Sequence, residues 1–152
     1  MDLARALERG IAVLDPGIST ADEVLGALAK VAAPQLGVDR TVLHEALRRR
    51  ERLCPTVLPE GVALPHAILP GLQRTLVVPM LVPGGVEMEA GQPRSSVIIG
   101  LFGAEERPSE HIAVLGRIAR AGSDPATLSA LRAAPTADDL VHVLLERDAV
   151  HA

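Results

Sequence analysis

Apolar residues recur with helical spacing at the two ends of the chain and as short continuous runs in its middle, which divides it into three parts. Leu3, Ala4 and Leu7 make a short helical turn. Ile11-Ala12-Val13-Leu14 reads as a brief strand, ended by the Asp15-Pro16-Gly17 breaker. Thr20-Ala21-Asp22-Glu23 then has the form of a capping box, with a hydroxyl at the cap and a carboxylate three residues on. Behind it Ala21, Val24, Leu25, Leu28, Val31 and Ala32 keep helical spacing, which predicts a helix with one buried face. Asp39 can cap a second helix running to about Leu53. Its stripe is Leu43, Ala46 and Leu47, and Arg50 is the next position on that face. An inward guanidinium needs an anionic or carbonyl partner, or else its stem packs while its head reaches water.

In the middle of the chain helical spacing gives way to short extended apolar runs. Val62-Ala63-Leu64 is extended, because Pro65 disfavours helical geometry in the residue before it. His66 is expected where this strand gives way to a loop, a place where a rigid element aims a side chain that stays accessible. Thr75–Val82 and Gly85–Met88 read as two strands separated by Pro83-Gly84, with Pro79 pointing to an edge or a bulge. Ser96–Phe102 is almost continuously apolar, as a central strand covered on both faces should be.

Helical spacing then returns. After the polar Ala104–Pro108 loop, Ser109 is expected to cap a helix to about Ala121, with His111, Ile112, Leu115, Ile118 and Ala119 inward. His111 would sit in the first turn, where the helix dipole favours anions. Ser123-Asp124-Pro125 starts another helix, and Thr136-Ala137-Asp138-Asp139 opens a last one with Leu140, Val141 and Leu144 inward. Helices, then strands, then helices predict an α/β fold. A mixed β-sheet is sandwiched between helices in three layers (α/β/α), as a single domain over residues 1–152.

Composition narrows the function. The chain has 152 residues, the size of one ordinary domain, with one Phe and no Trp or Tyr, so its core must be aliphatic. Without aromatics there is no stacking platform for single-stranded nucleic acid, and a net charge of −4 argues against a phosphate-backbone partner. Cys54 is the one cysteine, which removes intramolecular disulfides and multi-cysteine metal sites; it is expected to be a small buried apolar residue. Asp2 and Glu8 stand where a signal peptide needs basic residues, and no apolar run approaches the roughly 20 residues that span a bilayer. A soluble cytoplasmic chain without membrane insertion is expected.

There is no phosphate cradle of the P-loop type, no Gly-x-Ser-x-Gly elbow and no His-Glu-x-x-His. His66 and His111 could pair on a metal, but no third ligand is evident, and no cofactor is called for. What remains is an imidazole acting directly as nucleophile. Its neutral nitrogen can attack a phosphoryl group and form a labile N–P bond, with Arg50 and His111 supplying charge and donors to the oxygens.

Several stretches carry a family resemblance: Ser19–Leu25, Arg50-Glu51 with Thr56, Gly61-Val62-Ala63-Leu64-Pro65-His66-Ala67, Gly91-Gln92-Pro93, His111–Leu115 and Ser123-Asp124-Pro125. In these the chain resembles the enzyme IIA domains of the bacterial sugar phosphotransferase system, of the fructose/mannitol and nitrogen-regulatory type. The resemblance implies a histidine phosphocarrier. His66 would take a phosphoryl group from phosphorylated HPr or its nitrogen-type relative. It would pass the group to a cysteine on a IIB domain or use it as a signal to a regulatory target protein. Arg50 and His111 would help to hold the group. The chain departs from the pattern at Val57-Leu58-Pro59-Glu60, where glycine and asparagine are usual, at Ile68, where a basic residue is frequent, and at Ser95. Glu60 would repel phosphate if it pointed inward. The alternative is therefore a non-catalytic regulatory module on the same fold, binding a partner without turning over phosphate.

Overall fold

The capping and breaker residues define the first half of the chain much as expected. The computed structural model describes residues 3–7, 11–15 and 17–151; Asp2, Glu8 and Pro16 lie outside them. The opening turn is α1 (Leu3–Ala6), and the short apolar run narrows to β1 (Val13–Leu14). Asp15 Oδ1 accepts the Gly17 N–H at 2.7 Å, a side-chain turn that stops the strand. Helix α2 (Ala21–Leu36) starts at Thr20, whose hydroxyl accepts the Glu23 N–H at 3.2 Å. Helix α3 (Arg40–Leu53) starts at Asp39, whose carboxylate accepts the Thr41 N–H at 2.8 Å. Arg48 clamps the two helices, donating Nε and Nη2 to the two Asp22 carboxylate oxygens at 2.7 and 2.8 Å.

The strands are β2 (Val57–Leu58), β3 (Val62–Ala63), β4 (His66–Leu69), β5 (Leu76–Val86) and β6 (Ser95–Ala104). They form one six-stranded mixed sheet in the order β1-β5-β6-β3-β2, with β4 also paired to β6. As expected, the apolar Ser96–Phe102 run lies at the centre, within β6.

Two expectations about strands are corrected. His66 does not begin a loop: it begins β4. Both β3 and β4 run parallel to β6 with the same offset, Val62 opposite Val97 and His66 opposite Leu101. Leu64-Pro65 is thus a local gap in one line of pairing, because Pro65 has no N–H to donate, although its carbonyl still accepts the Leu101 N–H at 3.0 Å. Pro83-Gly84 does not separate two strands either. The β5–β6 ladder shifts register between Leu81 and Val86, so the pair is absorbed as an irregularity in one strand. Pro79 stands just before the two residues, Met80 and Leu81, that β1 covers on the outer side of β5.

The last three helices are α4 (Pro108–Ser123), α5 (Pro125–Arg132) and α6 (Ala137–His151). Ser109 is not the cap of α4. Arg107 holds that position and Pro108 is the first helical residue, where a missing N–H costs nothing. Ile112 does not face inward as expected: the buried face is His111, Val114, Ile118 and Ala121, with Leu115 and Ala119 partly buried against the same core, and Ile112 is exposed.

Alternation along the sheet feeds two cores. Ile98, Phe102, Met80 and Ala63 pack with Val24, Leu28, Leu43 and Leu47 beneath α2 and α3. Val97, Ile99, Leu101 and Val62 pack with Leu3, Val114, Ile118, Leu128 and Leu144 beneath α1, α4, α5 and α6. This is the expected three-layer α/β/α sandwich. Each fully buried Leu or Ile contributes about 1.5–3 kcal/mol, so aliphatic burial alone can hold a domain with one aromatic. Because β2 covers only β3, the outer edge of β4 pairs with no strand among the described residues, and α3 from one layer and α4 from the other approach each other across it.

Candidate functional site

A cleft of about 500 Å³ opens at that uncovered edge, lined by Arg49, Arg50 and Leu53 of α3, His66 and Ile68 of β4, and His111 and Leu115 of α4, among others. The three side chains singled out from the sequence therefore line one cavity, although Arg50 and His111 are far apart in the chain.

His66 is placed by the Leu64-Pro65 gap. The residue is 6% exposed, and Nδ1 lies 2.8 Å from the Leu64 carbonyl oxygen. A carbonyl only accepts, so Nδ1 carries the hydrogen and Nε2 keeps its lone pair. Burial lowers the His66 pKa below its ordinary value; the hydrogen bond to Leu64 opposes this and the Arg50 charge reinforces it. A neutral imidazole with a fixed tautomer is a nucleophile at Nε2.

His111 is 3% exposed, and its ring centroid lies 5.7 Å from that of His66, with the planes 42° apart. Neither of its nitrogens has a hydrogen-bond partner among the described residues. Burial, then the neighbouring His66 and Arg50, lower its pKa to about 4. The ring fits only because residue 103, which pairs with Ile68 across to β4, is glycine: a Cβ there would overlap His111 Nδ1 and crowd its Cγ and Cβ. The Nδ1 edge thus rests against the β6 backbone, and His111 lines the cleft with both of its nitrogens buried.

Arg50 is half-buried in the last turn of α3. Its Nη1 donates to the Cys54 carbonyl at 2.6 Å, and its guanidinium makes no other hydrogen bond among the described residues. Cys54 itself corrects an expectation, being exposed rather than buried. Leu53, in the last turn of α3, is 84% exposed as well. Glu60 does not point into the cleft. It lies on the β2–β3 turn and lines a separate cavity with Arg132, whose Nη2 donates to the Glu60 carbonyl at 2.6 Å.

Two residues were given no role from the sequence. Glu51 follows Leu43 and Leu47 at helical spacing; its Oε1 is buried without a partner among the described residues, and burial raises its pKa to about 7. Gly103 interrupts an apolar strand, a pattern that marks a close approach. Both signals were present in the spacing.

The family model described as "Phosphoenolpyruvate-dependent sugar phosphotransferase system, EIIA 2" matches residues 7–147. The chain belongs to this family. Among its EIIA 2 relatives is a "Nitrogen regulatory protein" of Bradyrhizobium diazoefficiens, 31% identical over 129 residues, which are 84% of each chain. The crystal structure of the nitrogen regulatory protein IIA-Ntr from Neisseria meningitidis superposes with a TM-score of 0.86 at 22% identity, over 93% of this chain and 98% of that one. The Escherichia coli enzyme IIA for mannitol, solved in complex with phosphorylated enzyme IIB, gives a TM-score of 0.74 at 23% identity, over 93% of this chain and 99% of that one. At these identities the solved structures establish the shared EIIA fold.

Proposed function

We propose that the chain is a histidine phosphocarrier. Its Nε2 atom of His66 accepts a phosphoryl group from the phosphohistidine of an HPr-like donor protein. The reading rests on one observation above the rest: the Nδ1–H bond from His66 to Leu64 leaves a buried, neutral imidazole with its lone pair at Nε2, in a cleft that also holds Arg50 and His111. In the transfer, the Nε2 lone pair forms the new N–P bond as the donor's N–P bond breaks, and the donor imidazole leaves with that electron pair. The Nδ1–H of His66 stays on Leu64, which holds the ring in place. Arg50 has guanidinium N–H groups to spare and His111 has an unengaged nitrogen, so both can donate to the phosphoryl oxygens.

Protein partners are supported by the rim. Leu53, Ile68 and Ile112 are 84, 47 and 69% exposed, and the first two line the cleft. Apolar side chains gathered beside a reactive group fit a docking protein better than a small substrate. The acceptor is a IIB cysteine, as the phosphorylated IIB in the mannitol complex supports, or a regulatory target, as the nitrogen-regulatory relatives support. No helix among the described residues is long and apolar enough to cross a membrane, which accords with action in the cytoplasm.

Incubation with phosphoenolpyruvate, enzyme I and HPr tests the reading. One acid-labile phosphoryl group should appear per chain and be absent from His66→Ala. Labelling that survives in that variant would put the phosphoryl group on a residue other than His66, and no labelling of the wild type would leave a partner-binding module that does not turn over phosphate.

A further inference from the structure

We propose that His66 and His111 together form a binding site for a borderline divalent cation of the zinc type, held by one nitrogen of each imidazole and completed by water from the cleft. The first support is spacing. With Zn–N bonds of about 2.0–2.1 Å, roughly 1.1 Å more to each ring centre and an angle near 109°, two imidazoles on one ion have centroids about 5.2 Å apart. The observed separation is 5.7 Å, which small side-chain adjustments would close.

The second support is the hydrogen bonding. A metal-binding histidine ordinarily donates its other N–H to a carbonyl or carboxylate, which fixes the ring. His66 already does so through Nδ1 to Leu64 at 2.8 Å, with Nε2 left over. His111 is almost wholly buried, and neither ring nitrogen has a partner among the described residues. Burying a polar group unpaired is unfavourable, so a ligand that satisfies His111 Nε2 is stabilised.

Donor chemistry gives the class. Two imidazoles favour Zn²⁺, Cu²⁺ or Ni²⁺ over Mg²⁺ or Ca²⁺, which want oxygen. The described residues contain no cluster of three or more His, Cys, Asp or Glu side chains able to hold a metal, and Arg50 adds a like charge to the same cleft. Binding is accordingly micromolar and exchangeable, unlike that of a structural zinc. Resting on the phosphocarrier reading, one consequence follows. The ion occupies the lone pair of His66 Nε2 that would accept phosphate, so metal and phosphoryl group exclude each other.

The test needs no donor protein. Metal-stripped full-length chain is titrated with ZnCl₂ against a chromophoric chelator, and zinc K-edge absorption spectroscopy counts the imidazoles bound. One ion per chain with two imidazoles is expected. His66→Ala and His111→Ala should each weaken binding at least about tenfold, while His44→Ala leaves it unchanged. Absence of micromolar binding, affinity indifferent to both cleft substitutions, or a shell without two imidazoles would overturn the proposal. None of those results would touch phosphorylation by HPr, so the two readings fail separately.

Discussion

Replacing Gly103 by alanine adds one methyl group at the point where β6 supports His111. The backbone does not resist the change, since Gly103 is not among the glycines at positive φ. The side chain does, because the new Cβ would overlap His111 Nδ1, with Cγ and Cβ at 3.0 and 3.1 Å. Overpacking of this kind costs about 1–3 kcal/mol, and the loss of backbone entropy in the unfolded chain returns about 0.4–1 kcal/mol. The net expectation is a loss of about 1–2 kcal/mol, or a melting temperature lower by roughly 2–8 °C for a chain of this size. Gly100→Ala is the control: it adds the same methyl to the same strand but meets the flexible ends of Leu28, at 3.0 Å, in the other core. Both variants should melt lower. Only Gly103→Ala should also shorten the lifetime of the phosphorylated protein, measured as loss of acid-labile label, because it displaces His111 from the cleft. Equal lifetimes in the two variants would refute the claim that Gly103 seats a functional histidine.

Three further outcomes are expected. Arg50→Lys should be phosphorylated about tenfold more slowly under limiting HPr, because an ammonium offers its donors from a single nitrogen, whereas the guanidinium reaches the Cys54 carbonyl with one nitrogen and keeps others for a phosphoryl oxygen; an unchanged rate would remove Arg50 from the site. Glu51 has a folded pKa of about 7 against an ordinary 4.5, so its contribution to stability is present below pH 4.5 and lost as pH rises through 7. Urea unfolding should therefore show Glu51→Gln gaining about 2 kcal/mol over wild type at pH 8 and almost nothing at pH 4.5, and a pH-independent difference would contradict this. Burial holds His111 at about 4, so its contribution is present above pH 6.5 and lost as pH falls towards 4; a phosphoryl group on His66 should raise that pKa, visible by NMR titration as a midpoint moving to higher pH.

Much of the fold could be read from periodicity and caps. Thr20 and Asp39 start their helices as their side chains predict, and the apolar run ending at Phe102 lies at the sheet centre. The errors share a cause, which is that tertiary pairing overrides local breakers. Pro65 and Pro83-Gly84 look like interruptions, yet β6 continues pairing past both. Cys54 and Ile112 look apolar enough to be buried, but Cys54 caps the exposed end of α3 and Ile112 lies off the buried face of α4. In the cleft, His66 and His111 were recognisable from a Pro-His turn and a helix start. Their separation could not be, since it depends on α4 crossing Gly103 and on β4 having no outer strand among the described residues.

The most direct measurement is the atom that carries phosphate. In ¹⁵N-histidine-labelled protein phosphorylated through HPr, the ³¹P–¹⁵N coupling should fall on Nε2 of His66, with the Nδ1 proton still bonded to Leu64. Coupling to Nδ1 of His66, or to either nitrogen of His111, would contradict the account.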